Sequence, residues 1–400
     1  MTKGWKVQTL SDLFDITSSK RVFESDWKRE GVPFYRAREI VKLARQGFVD
    51  NELFISEEMF NRYSSKYGIP AEGDIMVTGV GTLGICYVVK KHDRFYFKDG
   101  NIIWLKKKTE ADSRFVEYAF QSDYLRSQID DSVGATVGTF TIIKAKNTRI
   151  PVPPLPEQQR IVGVLDKAFD GIAIARANAE KNLQNARALF ENHLQSVFTQ
   201  HGTGWVEKHL KDVCEKITDG THQTPTYYDH GFVFLSSRNV TSGRINWDDI
   251  KYIDAKQHLE MHKRVAPRPN DILLAKNGTT GVAAIVDRDV TFDIYVSLAL
   301  LRARNEILPQ LLLHFINSPV AKRQFNKRLK GIGVPNLHLE EIREVAISFP
   351  KSLAEQKATA TKLDALREET QRLESIYDQK LAALQALKKS LLHHAFTGKL

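Results

Sequence analysis

One pattern runs through this chain twice, about 200 residues apart. Gly4-Trp5 returns as Gly204-Trp205, Gly73-Asp74-Ile75 as Asn270-Asp271-Ile272, and Gly81-Thr82-Leu83-Gly84 as Gly278-Thr279-Thr280-Gly281. Glu157-Gln158 returns as Glu355-Gln356, Leu165-Asp166 as Leu363-Asp364, and Phe198-Thr199 as Phe396-Thr397. Solenoid units repeat every ~20–50 residues, so a period this long marks a duplicated domain. The 400 residues suffice for two domains that each bury a core. No catalytic residue is duplicated with the rest, which points to a chain built to bind something twice.

The hydrophobic share is 42% and the charged share 26%, as in soluble globular chains. No apolar run approaches the ~18 residues that a membrane helix needs. The formal charge of +10 favours a polyanionic partner, most simply nucleic acid. A merely basic soluble protein is the alternative. The cations are dispersed, as on a folded surface rather than a basic tail. Cys86 and Cys214 lie far apart at unmatched repeat positions, forming neither a zinc site nor a disulfide framework. Met1-Thr2-Lys3-Gly4-Trp5-Lys6 lacks the apolar stretch of a secretory signal, so a cytoplasmic location is expected.

Each half has the same grammar. Short strand-like runs at 74–78, 85–89, 101–105, 272–274 and 282–286 alternate with turns and with helical patches at 114–129 and 309–329. A proline hinge follows, Pro151-Val152-Pro153-Pro154-Leu155-Pro156 in one half and Phe349-Pro350 in the other, and then one long helix at about 157–199 and 354–394. Proline suits a helix's first turn and discourages helix before it. In the second helix, Leu363, Leu366, Thr370, Leu373, Tyr377, Lys380, Leu384, Leu387 and Leu391 form a heptad seam. The equivalent positions of the first are Leu165, Ala168, Ile172, Ala175, Ala179, Asn182, Ala186, Leu189 and His193, with Asn182 and Lys380 as matching polar layers. At 1.5 Å per residue each helix runs roughly 60 Å, which favours a paired coiled coil over two separate helices lying on their own domains. The tail after each helix joins smoothly to the start of a domain, so the sequence is close to cyclically symmetric and its ends are expected to meet.

The motifs carry little catalytic chemistry. The glycine-rich stretch 73–84 lacks the Gly-Lys-Ser/Thr ending of a phosphate loop. With 270–281 it reads as strand, turn, strand, either a plain hairpin or a loop whose polar tip (Thr78, or Lys276-Asn277) meets DNA. The turn Thr218-Asp219-Gly220-Thr221-His222-Gln223-Thr224-Pro225 is dense in hydrogen-bonding side chains, but no Ser, Cys or Asp forms a triad with His222. Arg36, Arg38, Arg238 and Asn239 follow aromatic strands. Arg can address guanine and Asn adenine, with phosphate contact or a solvated strand end as the alternative. Asn270-Asp271 before Lys276 faintly resembles a nuclease core, but Ala275 stands where a second carboxylate is needed. No Asn/Asp-Pro-Pro-aromatic motif of an amino methyltransferase is present.

Taken in order, Pro153-Pro154-Leu155-Pro156-Glu157-Gln158-Gln159, Ala354-Glu355-Gln356, the two Asp-Ile loops, the 219–225 turn and Ala395-Phe396-Thr397-Gly398-Lys399-Leu400 resemble the specificity (S) subunit of a type I restriction–modification system. The resemblance covers almost the whole chain. The second hinge departs from it in lacking the double proline, and the first half lacks the Gly-Thr-His turn. It implies an α+β fold of two similar target recognition domains (1–150 and 201–350), a hinge with the first spacer helix (151–200), and a second spacer helix with tail (351–400). The helices would pair as an antiparallel coiled coil with pseudo-two-fold cyclic symmetry. The expected partners are double-stranded DNA, two modification (methyltransferase) subunits and restriction/translocase subunits, without a membrane. S-adenosylmethionine, ATP and Mg would sit on those partners, leaving this chain with no cofactor, metal or catalytic residue. DNA contact is expected from Arg36, Arg38, Thr78, Thr82, Thr139 and Lys144 in the first half. In the second it is expected from Thr221, His222, Gln223, Thr224, Arg238, Asn239, Lys276, Asn277, Thr279, Asn336 and His338. The alternative is a coiled-coil tethering protein whose basic charge is incidental.

Overall fold

The computed structural model describes residues 4–130, 138–200, 202–240, 243–329 and 336–400. They fall into two compact units, Met1–Ala179 with Gln379–Leu400, and Glu180–Asp378. Each unit contains the same three sheets. A two-stranded sheet pairs Lys6–Thr9 with Arg149–Val152, and Trp205–His209 with Ala346–Pro350. A four-stranded antiparallel sheet runs Phe14–Thr17, Ile102–Lys107, Ile75–Thr78, Cys86–Val88 in the first unit. In the second it runs Cys214–Asp219, Leu298–Ala303, Ile272–Ala275, Val282–Ile285. A three-stranded sheet orders Phe54–Ile55, Val32–Tyr35, Tyr96–Phe97 and, in the second, Lys251–Ile253, Phe232–Leu235, Phe292–Ile294. In each, the last pair is parallel.

The repeated Asp-Ile segments are the central strands, and their unbroken apolar runs follow from burial on both faces. Ile75 and Val77 point into one core and Met76 into another. Ile272 and Leu274 likewise face one core, Leu273 and Ala275 the next. Gly73 and Asn270 precede these strands with φ of 84° and 72°, a left-handed turn that Gly and Asn tolerate. This explains why those two residue types interchange.

The long helices span Leu155–Thr199 and Leu353–Thr397, a little beyond the sequence-based limits. Each unit holds the start of one and the end of the other, running antiparallel. In the first unit Ile161 and Leu165 share a core with Leu392, Ala395 and Phe396, and Arg160 Nη2 donates to Leu400 O at 2.7 Å. In the second, Leu194 and Phe198 share a core with Ala360 and Leu363, and Arg187 pairs with Glu374 at 3.1 Å. Trp5 and Leu400 both pack on the first unit's core. The repeated glutamines fasten the helix starts. Buried Gln158 accepts from Asp112 N at 2.9 Å and donates to Pro153 O at 2.8 Å. Buried Gln356 accepts from Leu308 N and donates to Glu306 O and Pro350 O, each at 2.8 Å.

Two expectations need correcting. The first helix's seam leaves the sequence-based positions after Ala179. Burial continues through Leu183, Ala186, Phe190, Leu194 and Phe198, leaving Asn182, Leu189 and His193 exposed. On the second helix Lys380 and Leu387 are exposed too, so Asn182 and Lys380 do not form polar layers. The physical reason is drift: a straight helix of 3.6 residues per turn leaves a strict 3.5 repeat by ~20° per heptad. The helical patches also divide, into Ser113–Gln121 and Asp123–Ile129, and into Pro309–Asn317 and Pro319–Arg328. Ser122 and Ser318 sit at the breaks in extended conformation and cap the following helix through Oγ.

Candidate nucleic-acid interface

In the second unit a cleft of about 610 Å³ opens where the end of strand Cys214–Asp219, the loop after Ile272–Ala275 and the helix Leu339–Arg343 converge. It gathers Asp219, His222, Arg264, Lys276, Asn277, Asn336, His338 and Arg343. Lys276 is only 5% exposed and lies 3.4 Å from the buried Asp219 carboxylate. Arg264 Nη2 donates to the same carboxylate at 2.7 Å, and His222 Nε2 lies 3.3 Å from it. Burial alone would raise the Asp219 pKa. The hydrogen bonds from Arg264 and His222 and the Lys276 charge outweigh it and hold the carboxyl below its usual value. The cleft thus keeps a fixed anion among cations. Asn277 and Asn336 form an isolated antiparallel bridge, and the Oδ1 of each finds no hydrogen-bond partner among the described residues. A buried acceptor without a donor costs free energy unless a water or ligand supplies one.

The turn that carries Asp219 and His222 is set by Gly220. A Cβ there would stand 1.8 Å from Ile294 O, so only glycine lets the chain pass. Thr221 N then donates to Ile294 O at 3.0 Å, and Val296 N to Thr221 O at 2.9 Å.

The first unit has the matching cleft, about 380 Å³, lined by Ser18, Gly79, Val80, Thr139, Thr141 and Ile143 among others. Strand register makes Ser18 the counterpart of Asp219. The equivalent backbone bonds, Phe140 N to Gly79 O and Leu337 N to Lys276 O, each 2.9 Å, match Gly79 with Lys276, Val80 with Asn277 and Thr139 with Asn336. Thr141 and His338 are both helix N-caps. One copy of the cleft is therefore charged and amide-rich, the other hydroxyl-bearing and apolar.

Of the residues expected at DNA, His222, Lys276, Asn277, Asn336 and His338 come together in one cleft and Thr139 lines the other. Thr82, Gln223, Thr224, Arg238 and Thr279 are exposed outside the clefts, and Lys144 is half-buried on the helix Ile142–Asn147. Arg36 and Arg38 both bind Glu39, Arg36 Nη2 at 3.0 Å, and Arg38 also reaches Glu52 at 2.5 Å. Thr78, Thr221 and Asn239 are buried outside the clefts, and their side chains make hydrogen bonds within the fold, unlike the loop-tip contacts expected of them. Thr78 Oγ1 donates to Thr82 O at 2.5 Å and accepts from Ile85 N. Thr221 Oγ1 accepts from Gln223 N. Asn239 donates to Asn246 O and Asp249 O and accepts from Ser236 N. Sequence reasoning missed Arg264 and Arg343, the last residues of helices Ala255–Arg264 and Leu339–Arg343. Their spacing from the turn at 219–222 gives no local signal.

The family model for the type I restriction modification DNA specificity domain matches residues 2–184 and again 202–381. The chain belongs to this specificity family. Among the specificity proteins it resembles is the putative type I restriction enzyme specificity subunit S.HindORF215P of Haemophilus influenzae, 29% identical over 47% of this chain and 48% of that one. The chain thus spans about half the length of that relative. The type I restriction enzyme EcoBI specificity subunit of Escherichia coli is 21% identical over 99% of this chain and 86% of its own length. A solved structure described as the structural basis underlying complex assembly and conformational transition of the type I R-M system matches 100% of this chain and 99% of its own, with a TM-score of 0.78 and 20% identity.

Within this specificity fold the duplicated aspartates are structural. Asp74 accepts from Ala71 N, Trp104 Nε1 and Lys107 N at 2.8–2.9 Å. Asp271 accepts from Arg268 N at 2.8 Å and takes a two-pronged bond from Arg302 at 2.7 Å. Both oxygens of each carboxylate are engaged in these bonds. No helix among the described residues is long and apolar enough to cross a membrane.

Proposed function

We propose that this chain is the non-catalytic DNA-reading subunit of a type I restriction–modification complex. Each unit reads one half of a bipartite, asymmetric duplex target. The observation that carries this reading is the pair of equivalent clefts with unlike linings: the same fold presents two different chemistries, and so two different half-sites. Membership of the specificity family supports it, as does the net charge of +10, since phosphate contacts position such a reader while base contacts specify. Asn277 and Asn336 carry open acceptors suited to a base amino group. Two modification subunits perform adenine methylation with S-adenosylmethionine, and restriction subunits add ATP- and Mg-dependent translocation and cleavage. The long helices set the gap between half-sites. The complex works in the prokaryotic cytoplasm at the nucleoid.

The test is adenine-methylation mapping by single-molecule sequencing in cells that make this chain with its modification subunits. One split, asymmetric motif is expected, and Asn277→Ala should relax one half of it while leaving the other unchanged. A continuous motif, no motif, or relaxation of both halves together would overturn the reading.

A further inference from the structure

We propose that the second unit binds one divalent transition-metal ion of the zinc class through His258, His262 and Asp293. His258 and His262 lie one turn apart on the helix Ala255–Arg264, so both rings leave the same face. Asp293 is the middle residue of strand Phe292–Ile294. Its neighbours Phe292 and Ile294 are buried in the core on one side of the sheet, and the alternation of the strand turns Asp293 toward the helix. The carboxylate is 1% exposed. His258 Nδ1 lies 2.7 Å from Asp293 Oδ2, and His262 Nδ1 lies 3.1 Å from Oδ1. The ligand atoms of all three residues lie within 4.8 Å of one another.

Tetrahedral zinc with bonds of about 2.0–2.2 Å holds its ligand atoms roughly 3.3 Å apart. The nitrogen–oxygen separations of 2.7 and 3.1 Å would open by roughly 0.2–0.6 Å to reach that spacing. Phe232 stacks face to face on His258, centroids 3.8 Å apart and planes at 8°, which fixes that ring before any ion arrives. His262 is half-buried, leaving a fourth position for water. Two imidazoles and one carboxylate suit zinc and cobalt better than magnesium or calcium, which prefer all-oxygen sites.

The duplicated fold supplies an internal comparison. Helix caps Ser56 and Asp254 correspond, and strand register matches Tyr96 with Asp293, so the first unit carries Phe60, Ser64 and Tyr96 at these three places. Phe60 and Tyr96 belong there to an apolar cluster. The fold therefore does not require a buried carboxylate between two histidines. A metal clip between helix and strand is a function for it. The clip would also fix Arg264, the last residue of that helix, where it meets Asp219. The inference does not depend on the DNA reading and would hold if the chain bound no DNA.

The test titrates the purified, metal-stripped full chain with Co²⁺ and then with Zn²⁺. Saturation at one equivalent is expected, with visible d–d absorption of a four-coordinate nitrogen and oxygen site that Zn²⁺ abolishes. Loss of an outer-shell partner weakens metal sites by roughly 10–100-fold, so His262→Gln, which removes a direct ligand, should weaken Co²⁺ binding by at least ~100-fold. Asp293→Asn should do the same. Because Asp293 is buried and its variant can misfold, circular dichroism is recorded for both, and the half-buried His262→Gln decides if Asp293→Asn is unfolded. No saturable equivalent in the folded wild-type chain, or unchanged Co²⁺ binding by folded His262→Gln, would overturn the proposal.

Discussion

Asp166 and Asp364 occupy the same place on the two long helices and meet different partners. Asp166 accepts from the Tyr118 hydroxyl and from Arg114 at 2.7 Å. Asp364 meets His314 Nε2 at 2.7 Å. Burial pushes the Tyr118 phenol up to about 12, and its bond to Asp166 adds to this, so the phenol stays protonated near neutral pH. Burial pulls the His314 imidazole below its ordinary value of 6.5, more than the Asp364 charge restores it. A histidine with a lowered folded pKa binds its proton more readily when unfolded. Its contribution is therefore complete above pH 6.5 and is lost as pH falls through the folded value. Thermal unfolding of the full chain should shift down on acidification from pH ~7.5 to ~5.5, and His314→Gln should flatten that dependence. An unchanged slope in the variant would refute the assignment.

At the scale of elements, the long helices are held wherever the adjoining fold covers one face. Leu363 is fully buried in the second unit's core beside Leu194 and Phe198, while Leu387, as far from its own end of the helix, is 47% exposed and contributes little. Leu363→Ala should cost about 2–5 kcal/mol in denaturant unfolding, as large-to-small core changes do. Leu387→Ala should fall within ~0.5 kcal/mol of wild type, as surface changes do. Heptad reading alone ranks these two leucines equally. Burial separates them, because the seam follows whichever face the adjoining fold covers.

For the molecule as a whole, the proposed reading of one half-site by each unit predicts a gap that depends on helix length. Inserting one heptad at matching points of Leu155–Thr199 and Leu353–Thr397 should lengthen the methylated target's gap without altering either half-site. Methylation mapping before and after insertion checks this, and an altered half-site with an unchanged gap would count against the spacer role.

Duplication, the strands at the Asp-Ile segments and the helix starts after the prolines were all legible in the sequence. Each is written in local signals: a 200-residue echo, an apolar run, a capping or hinge residue. Tertiary structure decided where each polar side chain is placed. Thr78 and Lys276 both looked like loop tips, yet Thr78 is consumed by its own turn while Lys276 lines a cleft opposite Asp219. Arg264 reaches that cleft, and His258 and His262 find Asp293, only because a helix docks across strands distant in sequence. Periodicity reports which face of an element is apolar. It carries no term for the long-range packing that chooses the partners of each polar group, and those partners determine which residues are left to act.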